Sequence, residues 1–521
     1  MSSSSLYLYG VGGGTLLIAL YTYFSQRTRS GLPLPPGPKK WPIIGNLLDM
    51  PSTFEWLTFM EWSKKYNSDV LHLNVAGQSI IVVSSAEAAN ELLEKRAGLY
   101  SDRARLPMVN ELMGWDFALA FMKYGETVCD HWRAHRKLFH EVFNSVAAQN
   151  FRIKERQVTN ELLKDLLEKP GHDILDHLRH MAAKIVMSIA YGIDVAPADD
   201  PYVELADKAV EGLVTAIVPG RFLVDAFPFL KYVPWWFPGA GFQRKAREWR
   251  RLSRGMLELP FAEAQAKIAA GTAPHSFTLD GLQIVAKAEN KPYMEKVVQA
   301  TAGTMYTAGT GTTVSALGTF VLSMLANPEA LKKAQAEIDR VVGTDRLPDF
   351  EDEPNLPYVA AAMKESLRWR NVTPIAIPHF LPVEDEYGGY RLPAGSIVMP
   401  NTWAILHDEN VYPDPYSFIP ERYLKDGKLN PEVPDPDIVF GFGRRICPGR
   451  HMARDNVWIA VARILACFDI TKPIDENGQI IEPKYDYFAG LVVQPLPYKC
   501  DIKPRSAKAA ALIKAALQNN N

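Results

Sequence analysis

The stretch FGFGRRICPG at 440–449 is the most informative part of the sequence, because it places one cysteine in a loop rich in glycine and arginine. Its three glycines allow backbone conformations that bring several N–H groups close to one point. Pro448 then suits the first turn of a predicted helix over 448–468, so Cys447 lies at a helix amino terminus. That position, beside Arg444 and Arg445, lowers the pKa of a thiol. Cys447 is therefore predicted to be a nucleophile or a metal ligand.

The length, charge and cysteine content of the chain bear on the choice between a nucleophile and a metal ligand. The chain has 521 residues, a net charge of -2 and four cysteines, at Cys129, Cys447, Cys467 and Cys500. So balanced a charge gives no indication of a nucleic-acid partner, and four scattered cysteines are too few for a disulfide framework. A dithiol oxidoreductase would need a C-x-x-C pair, and the sequence contains none. A thiolate that binds a metal in a reducing compartment remains open, and so does a nucleophile.

Five residues of the loop resemble a known pattern. Phe440, Gly443, Arg445, Cys447 and Gly449 fit F-x-x-G-x-R-x-C-x-G, the heme loop of the cytochrome P450 superfamily. The resemblance implies that Cys447 is the axial thiolate ligand of iron in heme b. It also implies that Arg445 pairs with a heme propionate and that Phe440 packs beside the sulfur. In overall style the chain resembles fungal microsomal members of the superfamily.

Other stretches resemble the superfamily in the same chain order. ESLR and FIPERY supply residues that the resemblance assigns to a buried Glu-Arg-Arg network, while WRAHR and PIAIPH supply residues that it assigns to the heme propionates. Without the resemblance, Glu and Arg three positions apart on a helix are usually an exposed pair. The network residues are Glu365, Arg368 and Arg422, and the propionate residues are Trp132, Arg136 and His379.

The long apolar segment 294–326 departs from the superfamily pattern. Where members read A-G-x-D/E-T-T, this chain reads AGTGTT, so Gly311 replaces the acidic residue. The resemblance assigns Thr312, with Thr310 and Gly311, to proton delivery during oxygen activation. Without a carboxylate at 311, we expect delivery to be slower or differently routed. A water molecule in the gap left by the glycines is the alternative.

The resemblance also places eight residues toward a substrate pocket. Almost all are uncharged and apolar, which suits a terpenoid, a sterol, a fatty compound or an aromatic compound. They are Met305, Tyr306, Ala308, Ile375, Ala376, Phe488, Leu491 and Val492.

The hydrophobic pattern predicts a mainly α fold with small β-sheets, as in a single large domain of the cytochrome P450 type. The alternating stretch 69–85 predicts a hairpin. Residues 1–30 are expected to be a membrane anchor, 31–505 the heme-thiolate domain and 506–521 a flexible tail. The aromatic segment 222–242 suits either core packing or an exposed patch that enters the membrane.

The predicted location of the protein rests on the segment 6–24, which is uncharged. As a helix, this segment would roughly span a bilayer. Basic residues follow this segment and none precedes it, so the remainder of the chain is predicted to be cytoplasmic. A single-pass anchor in the endoplasmic reticulum is the expected arrangement.

The resemblance implies a monooxygenase that uses O2 and hydroxylates an apolar small molecule. The sequence has no Rossmann fingerprint, so electrons are expected from a separate NADPH-dependent reductase, with cytochrome b5 as a further partner. Two alternatives stay open. One is a heme-thiolate isomerase or dehydratase, which needs no reductase, and the other is a heme sensor without enzymatic activity.

Overall fold

Helices are the main elements of the fold because apolar residues recur every three or four positions along much of the sequence. The computed structural model describes residues 31–124, 129–171, 173–217 and 220–518. The predicted anchor at 1–30 lies outside these ranges. The longer α-helices are α1 Glu55–Tyr66, α2 Cys129–Phe143, α3 Arg152–Glu168, α4 Ile174–Tyr191, α5 Pro201–Ala216, α6 Gly241–Ala269, α7 Phe277–Lys287, α8 Lys291–Ala326, α9 Pro328–Val341, α10 Pro357–Trp369, α11 Arg450–Cys467 and α12 Ala507–Gln518.

Short helical segments connect these elements. Single α turns lie at Ala86–Ala89, Ala97–Tyr100, Leu223–Ala226 and Thr402–Leu406, and π turns at Asn90–Lys95 and Pro107–Leu112. The 3-10 turns are Leu119–Phe121, Ala147–Phe151, Pro228–Tyr232, Phe350–Asn355, Pro420–Tyr423, Pro436–Phe440 and Gly443–Arg445.

The strands form small sheets, as predicted. They are β1 Val70–Val75, β2 Gln78–Val83, β3 His379–Leu381, β4 Asp385–Tyr387, β5 Tyr390–Leu392, β6 Ser396–Pro400, β7 Leu424–Lys425, β8 Lys428–Leu429, β9 Phe468–Thr471, β10 Tyr487–Phe488, β11 Gln494–Pro495 and β12 Asp501–Pro504. The largest sheet in the described chain runs β1-β2-β6-β3, and its first two strands are the predicted hairpin, with Val75 opposite Gln78 across a tight turn. The remaining strands pair as β4-β5, β7-β8, β9-β12 and β10-β11.

The 36-residue helix α8 runs through the main hydrophobic core. Two glycines let it approach α4 closely, since an added Cβ would lie 2.7 Å from Val186 at Gly309 and 2.6 Å from Leu175 at Gly318. Among the described residues, α8 is the one helix with the length and hydropathy of a membrane span, yet 72% of its most apolar window is buried inside the protein. It is therefore a core helix.

The carboxyl-terminal residues differ from the expectation of a flexible tail. Residues 507–518 form helix α12, which packs against α3 with Ile513 fully buried. Ala509 and Ile513 lie four positions apart, so they share one face of the helix and bury it together. The alanine-rich composition concealed this apolar face.

The aromatic segment at 222–242 is exposed on much of its surface. Phe229, Tyr232 and Trp236 expose 66%, 77% and 66% of their surface, whereas Val224 is buried. Core packing, one of the two interpretations of this segment, therefore does not describe most of its large side chains. Exposed apolar patches of this kind are typical of surfaces that contact a membrane or another protein.

Candidate active site

A cavity of about 320 Å³ lies between α8, α2 and the loop that carries Cys447. Its wall combines apolar side chains with basic ones, and no Asp or Glu is among the described residues that line it. Of the residues predicted from the sequence, it is lined by Thr312, Met305, Ala308, Ala376, Trp132, Arg136, His379, Phe440, Arg445, Cys447 and Gly449.

Glycine conformations shape the loop around Cys447. Gly441 and Gly443 have φ of +82° and +52°, in the left-handed region that favours glycine. An added Cβ at Gly443 would lie 2.2 Å from the carbonyl oxygen of Leu93, so no other residue fits there without a shift. The Cys447 N–H donates to the Phe440 carbonyl at 2.7 Å and closes the loop.

The pKa of Cys447 differs from the sequence prediction. Burial raises the pKa of the thiol, although a hydrogen bond from the Gly449 N–H and the charges of Arg136 and Arg450 act in the opposite direction. The predicted lowering was wrong for the protein alone. Helix α11 begins only at Arg450, three residues after the cysteine, and desolvation of the buried sulfur outweighs the nearby positive charge.

Basic side chains form one wall of the cavity. Arg445 donates to the carbonyls of Ser101 and Met122, at 2.6 and 2.7 Å, and lies 4.8 Å from the centre of the Trp132 ring. Arg136 donates to the Ile446 carbonyl at 2.6 Å. These contacts hold the guanidinium groups in place without neutralising them, because a carbonyl is only a dipole.

Arg103 belongs to the same wall, and the sequence analysis missed it. It is 5% exposed, lines the cavity and donates to the carbonyls of Ala120, Ile377 and Pro378 at 2.8–2.9 Å. Burial and the charge of Arg445 lower its pKa well below the usual range, and Asp102 partly opposes this. No spacing pattern in the sequence marks Arg103, so only the fold identifies it.

His379 completes the wall as a neutral side chain. Burial and the cationic Arg103 and Arg445 hold the pKa of His379 well below its ordinary value. Its Nδ1 lies 2.7 Å from the Tyr100 carbonyl, which can only accept, so Nδ1 carries the proton of the neutral ring. The other nitrogen, Nε2, is then an acceptor until an anion nearby stabilises a second proton.

Comparison with known proteins identifies the family. The family model for Cytochrome P450 matches residues 35–502. The chain belongs to the cytochrome P450 family. It is 47% identical to cytochrome P450 monooxygenase 98 of Postia placenta over 510 residues, covering 97% of this chain and 96% of that protein. It is 44% identical to cytochrome P450 monooxygenase ple1 of Rhodocybe pseudopiperita over 500 residues, covering 96% and 94%.

A third relative is named for its substrate. The chain is 41% identical to tryptamine 4-monooxygenase of Psilocybe cyanescens over 478 residues, covering 91% of this chain and 93% of that protein. These relatives are oxidoreductases, and the P450 chain described here is an enzyme of the same kind. The family implies a heme iron cofactor.

The residues present fit a heme. The cavity offers one thiol sulfur for the iron and, for the two propionate carboxylates, the buried Arg103 and the half-buried Arg136 and Arg445. An added Cβ at Gly449 would meet no protein atom within 4 Å, although Gly449 lines the cavity, so glycine there leaves room for a bound group. The other site residues predicted from the resemblance can now be placed in this P450 fold.

The predicted network residues lie together in the core. Arg368 donates to both carboxylate oxygens of Glu365, at 2.7 and 2.8 Å, and Arg422 donates to the same carboxylate at 3.1 Å. The Ile419 N–H adds a further bond at 2.9 Å. The side chains of Glu365 and Arg368 are fully buried, so the carboxylate exchanges its water for a complete set of donors.

The predicted proton-delivery residues occupy one turn of α8. Thr312 lines the cavity, and its hydroxyl donates to the Ala308 carbonyl at 2.6 Å. Thr310 is not among the residues that line the cavity, and its hydroxyl lies 3.3 Å from the Tyr306 carbonyl. The Gly311 carbonyl accepts a hydrogen bond from the side chain of Gln494, which the sequence analysis did not consider.

Five of the eight predicted pocket residues do not line this cavity: Tyr306, Ile375, Phe488, Leu491 and Val492. The Tyr306 hydroxyl instead donates to the Tyr202 carbonyl at 3.1 Å. Ile375 packs with Trp56 and Trp403, and Phe488 is 50% exposed. Val186, Ile189, Val372 and Ile377 are apolar wall residues that the sequence analysis missed.

The loop geometry generates a prediction. Gly443→Ala places a Cβ against the Leu93 carbonyl in a left-handed backbone, so we expect a loss of at least about 2 kcal/mol of stability and of most bound heme. Gly478→Ala is the matched control, because φ is +79° there but nothing lies within 4 Å. It should cost about 1 kcal/mol and leave heme binding intact. Thermal unfolding and heme absorbance measure both effects, and equal losses would contradict the steric argument.

Proposed function

We propose that this P450 hydroxylates a neutral, apolar small molecule with O2 and electrons from a separate NADPH-dependent reductase. The observation that carries the proposal is the cavity itself, which is lined by a single half-buried thiol, by several basic side chains and by many apolar ones. When bound, the heme supplies reductive activation of O2, with one oxygen atom inserted into a C–H bond and the other released as water.

The protein's part begins with holding the heme. Cys447 would bind the iron through its sulfur, and Gly449 leaves the neighbouring space open. Arg445, Arg103 and Arg136 would hold the propionates, because their guanidinium groups line the cavity and can donate hydrogen bonds to an anion. Propionates nearby would favour the doubly protonated form of His379, which can donate a hydrogen bond from Nε2.

Thr312 would hold a proton donor next to the reacting group. Its own hydroxyl proton is used on the Ala308 carbonyl, so Oγ1 offers lone pairs to the cavity. Oγ1 can therefore accept from a water molecule or from a protonated ligand. No carboxylate among the described residues lines the cavity, so we propose that protons reach this position through water.

The substrate class follows from polarity. Thr304, Thr312 and Thr313 line the cavity, but each hydroxyl donates to the carbonyl four residues earlier in α8, at 2.6–2.8 Å. These three hydroxyl protons are thus already used, and apart from the Cys447 thiol the ionisable side chains of the wall are all basic. An ammonium substrate would lose water without gaining a counterion, so a neutral terpenoid, sterol, fatty or aromatic compound fits better.

Electron supply and location belong to the same proposal. The described chain contains no flavin or nicotinamide domain, and the family match spans nearly all of it. We propose that an NADPH-cytochrome P450 reductase, with cytochrome b5 as an additional donor, docks at the endoplasmic reticulum membrane. The uncharged segment 6–24 supports a single-pass anchor with the catalytic domain in the cytoplasm.

The first test is the carbon monoxide difference spectrum of the reduced full-length protein. We expect a strongly red-shifted Soret band that Cys447→Ser abolishes, because a thiolate ligand donates electron density to the iron. Cys467→Ser is the matched control, since Cys467 is buried and does not line the cavity. A band at the position of histidine-ligated heme in the wild type would overturn the assignment. Product formation that requires NADPH and reductase then separates a monooxygenase from an isomerase or a sensor.

Charge selectivity gives a second test. Titration of the holoprotein with 3-ethylindole and with tryptamine compares two ligands of one ring system that differ by an ammonium group. We expect 3-ethylindole to bind at least about tenfold more tightly at pH 7, because the described wall offers no carboxylate to a buried cation. The absorbance change of the heme reports binding. Equal or tighter binding of tryptamine would contradict the proposed substrate class.

Membrane contact of the segment 222–242 gives a third test. Residues 1–30 contain no tryptophan, so in nanodiscs of brominated lipid the anchor contributes no tryptophan signal. Trp235 and Trp236 expose 46% and 66% of their surface, and we expect Trp235→Phe/Trp236→Phe to lose much of the quenched fluorescence. Trp115→Phe, at a fully buried position, should leave the quenched component unchanged. An unchanged quenched component in the double variant would place this segment away from lipid.

A further inference from the structure

The turn of α8 that carries Thr312 contains two glycines with different surroundings. Gly309 is required by packing, since an added Cβ would lie 2.7 Å from Val186. At Gly311 an added Cβ would meet only Gln494 Nε2 within 4 Å, at 3.4 Å, which is an ordinary contact. Glycine in a helix interior costs about 1 kcal/mol relative to alanine. Close packing therefore does not account for Gly311, and the neighbouring side chain needs an explanation.

That neighbour is a carboxamide fixed in place. Gln494 Nε2 donates to the Gly311 carbonyl at 2.8 Å. The residue before it is anchored through its backbone, because the Val493 N–H donates to the Val372 carbonyl at 2.9 Å and the Ser315 hydroxyl donates to the Val493 carbonyl at 2.5 Å. The Gln494 side-chain amide therefore contacts α8 from a backbone segment that Ser315, a residue of α8, holds in place.

The accepting carbonyl has a particular place in the chain. The C=O of Gly311 and the N–H of Thr312 belong to one planar peptide unit. A hydrogen bond to that carbonyl therefore fixes the orientation of the peptide immediately before Thr312. Thr312 in turn lines the cavity and donates to the Ala308 carbonyl at 2.6 Å. Two glycines weaken this turn, so an external donor has more influence here than in a regular helix.

We propose that Gln494 is a positioning residue, which holds the Gly311 peptide and thereby sets the orientation of the Thr312 hydroxyl toward the cavity. Its carboxamide also occupies the space beside residue 311 that a side chain at that position would enter. This inference rests on the proposed function of Thr312. Because an amide does not titrate, the position of Thr312 should not depend on pH in the wild-type protein.

The first measurement is hydrogen exchange in the holoprotein, in peptides that cover 303–320. Gln494→Met keeps the length of the side chain and removes its donor, so we expect exchange in this turn to rise roughly fivefold. Ser315→Ala is the matched control, because it removes an anchor of the same strand and leaves the Gln494 amide in place. It should change exchange less than Gln494→Met. Equal exchange in wild type and Gln494→Met would overturn the proposal.

The second measurement separates positioning from a general structural effect. In Gln494→Glu, a protonated carboxyl can donate to the Gly311 carbonyl, whereas a carboxylate cannot. Partial burial raises the pKa of such a glutamate above its ordinary range. The C–O stretching band of the carbon monoxide complex should therefore resemble wild type at low pH and Gln494→Met at high pH. A band that does not change with pH in Gln494→Glu, or a wild-type band in Gln494→Met, would count against the proposal.

The two proposals can fail separately. Absence of the red-shifted Soret band would remove the heme-thiolate assignment, while hydrogen exchange would still report whether Gln494 holds the Gly311 peptide. Conversely, a normal Soret band with unchanged exchange would leave the enzyme assignment intact and remove the role of Gln494. Gly311→Asp offers a further comparison, because a side chain there would compete with Gln494 for one space. Restored wild-type exchange in Gly311→Asp/Gln494→Met would support a shared position, and exchange as fast as in Gln494→Met alone would contradict it.

Discussion

The cysteine side of the molecule depends on the hydrogen bonds that the buried carboxylate of Glu365 accepts. It accepts hydrogen bonds from Arg368, Arg422 and the backbone of Ile419, all within 3.1 Å. A buried charge of this kind is tolerated only when every acceptor is satisfied, so a displaced donor would leave an expensive unpaired ion. The network therefore ties α10 to the irregular segment that leads into the Cys447 loop. That segment has few strands or long helices of its own to fix its path.

The basic wall of the cavity differs from the Glu365 network, because it has no carboxylate of the described chain beside its positive charges. Arg103 donates side-chain hydrogen bonds to the carbonyls of Ala120, Ile377 and Pro378, and burial lowers its pKa. Its neighbours Arg445 and His379 share the cavity wall, where no acidic residue of the described chain is present. A protein that buries positive charge in this way gains most when a dianionic group enters. The Glu365 network is complete within the chain, whereas the wall is complementary to something outside it.

Prediction from sequence succeeded for the family and for the hairpin, where fixed spacing reflects a fixed geometry. The Cys447 loop has such a spacing because Gly443 must pass Leu93 without a side chain, and the hairpin at 69–85 has a clear alternation. Prediction failed where the direction of a side chain determines whether the residue lines the cavity. Met305, Ala308 and Thr312 follow the i, i+3, i+7 face of α8, while Tyr306 is turned by about 100° and contacts α5 instead. Arg103 had no pattern at all, because its burial results from contacts with segments more than 250 residues away.

The two glycines of α8 show why composition alone does not reveal function. Both residues have ordinary helical backbones and both lower helix propensity, so a sequence cannot tell them apart. The structure separates them by their neighbours, since Gly309 faces Val186 and Gly311 faces a hydrogen-bond donor. A methyl group at 309 would push α8 away from α4, which disturbs packing throughout the core. A methyl group at 311 would instead meet only the Gln494 amide, so its main effect would be on the peptide before Thr312. The same substitution at positions two residues apart thus acts on stability in one case and on the active site in the other.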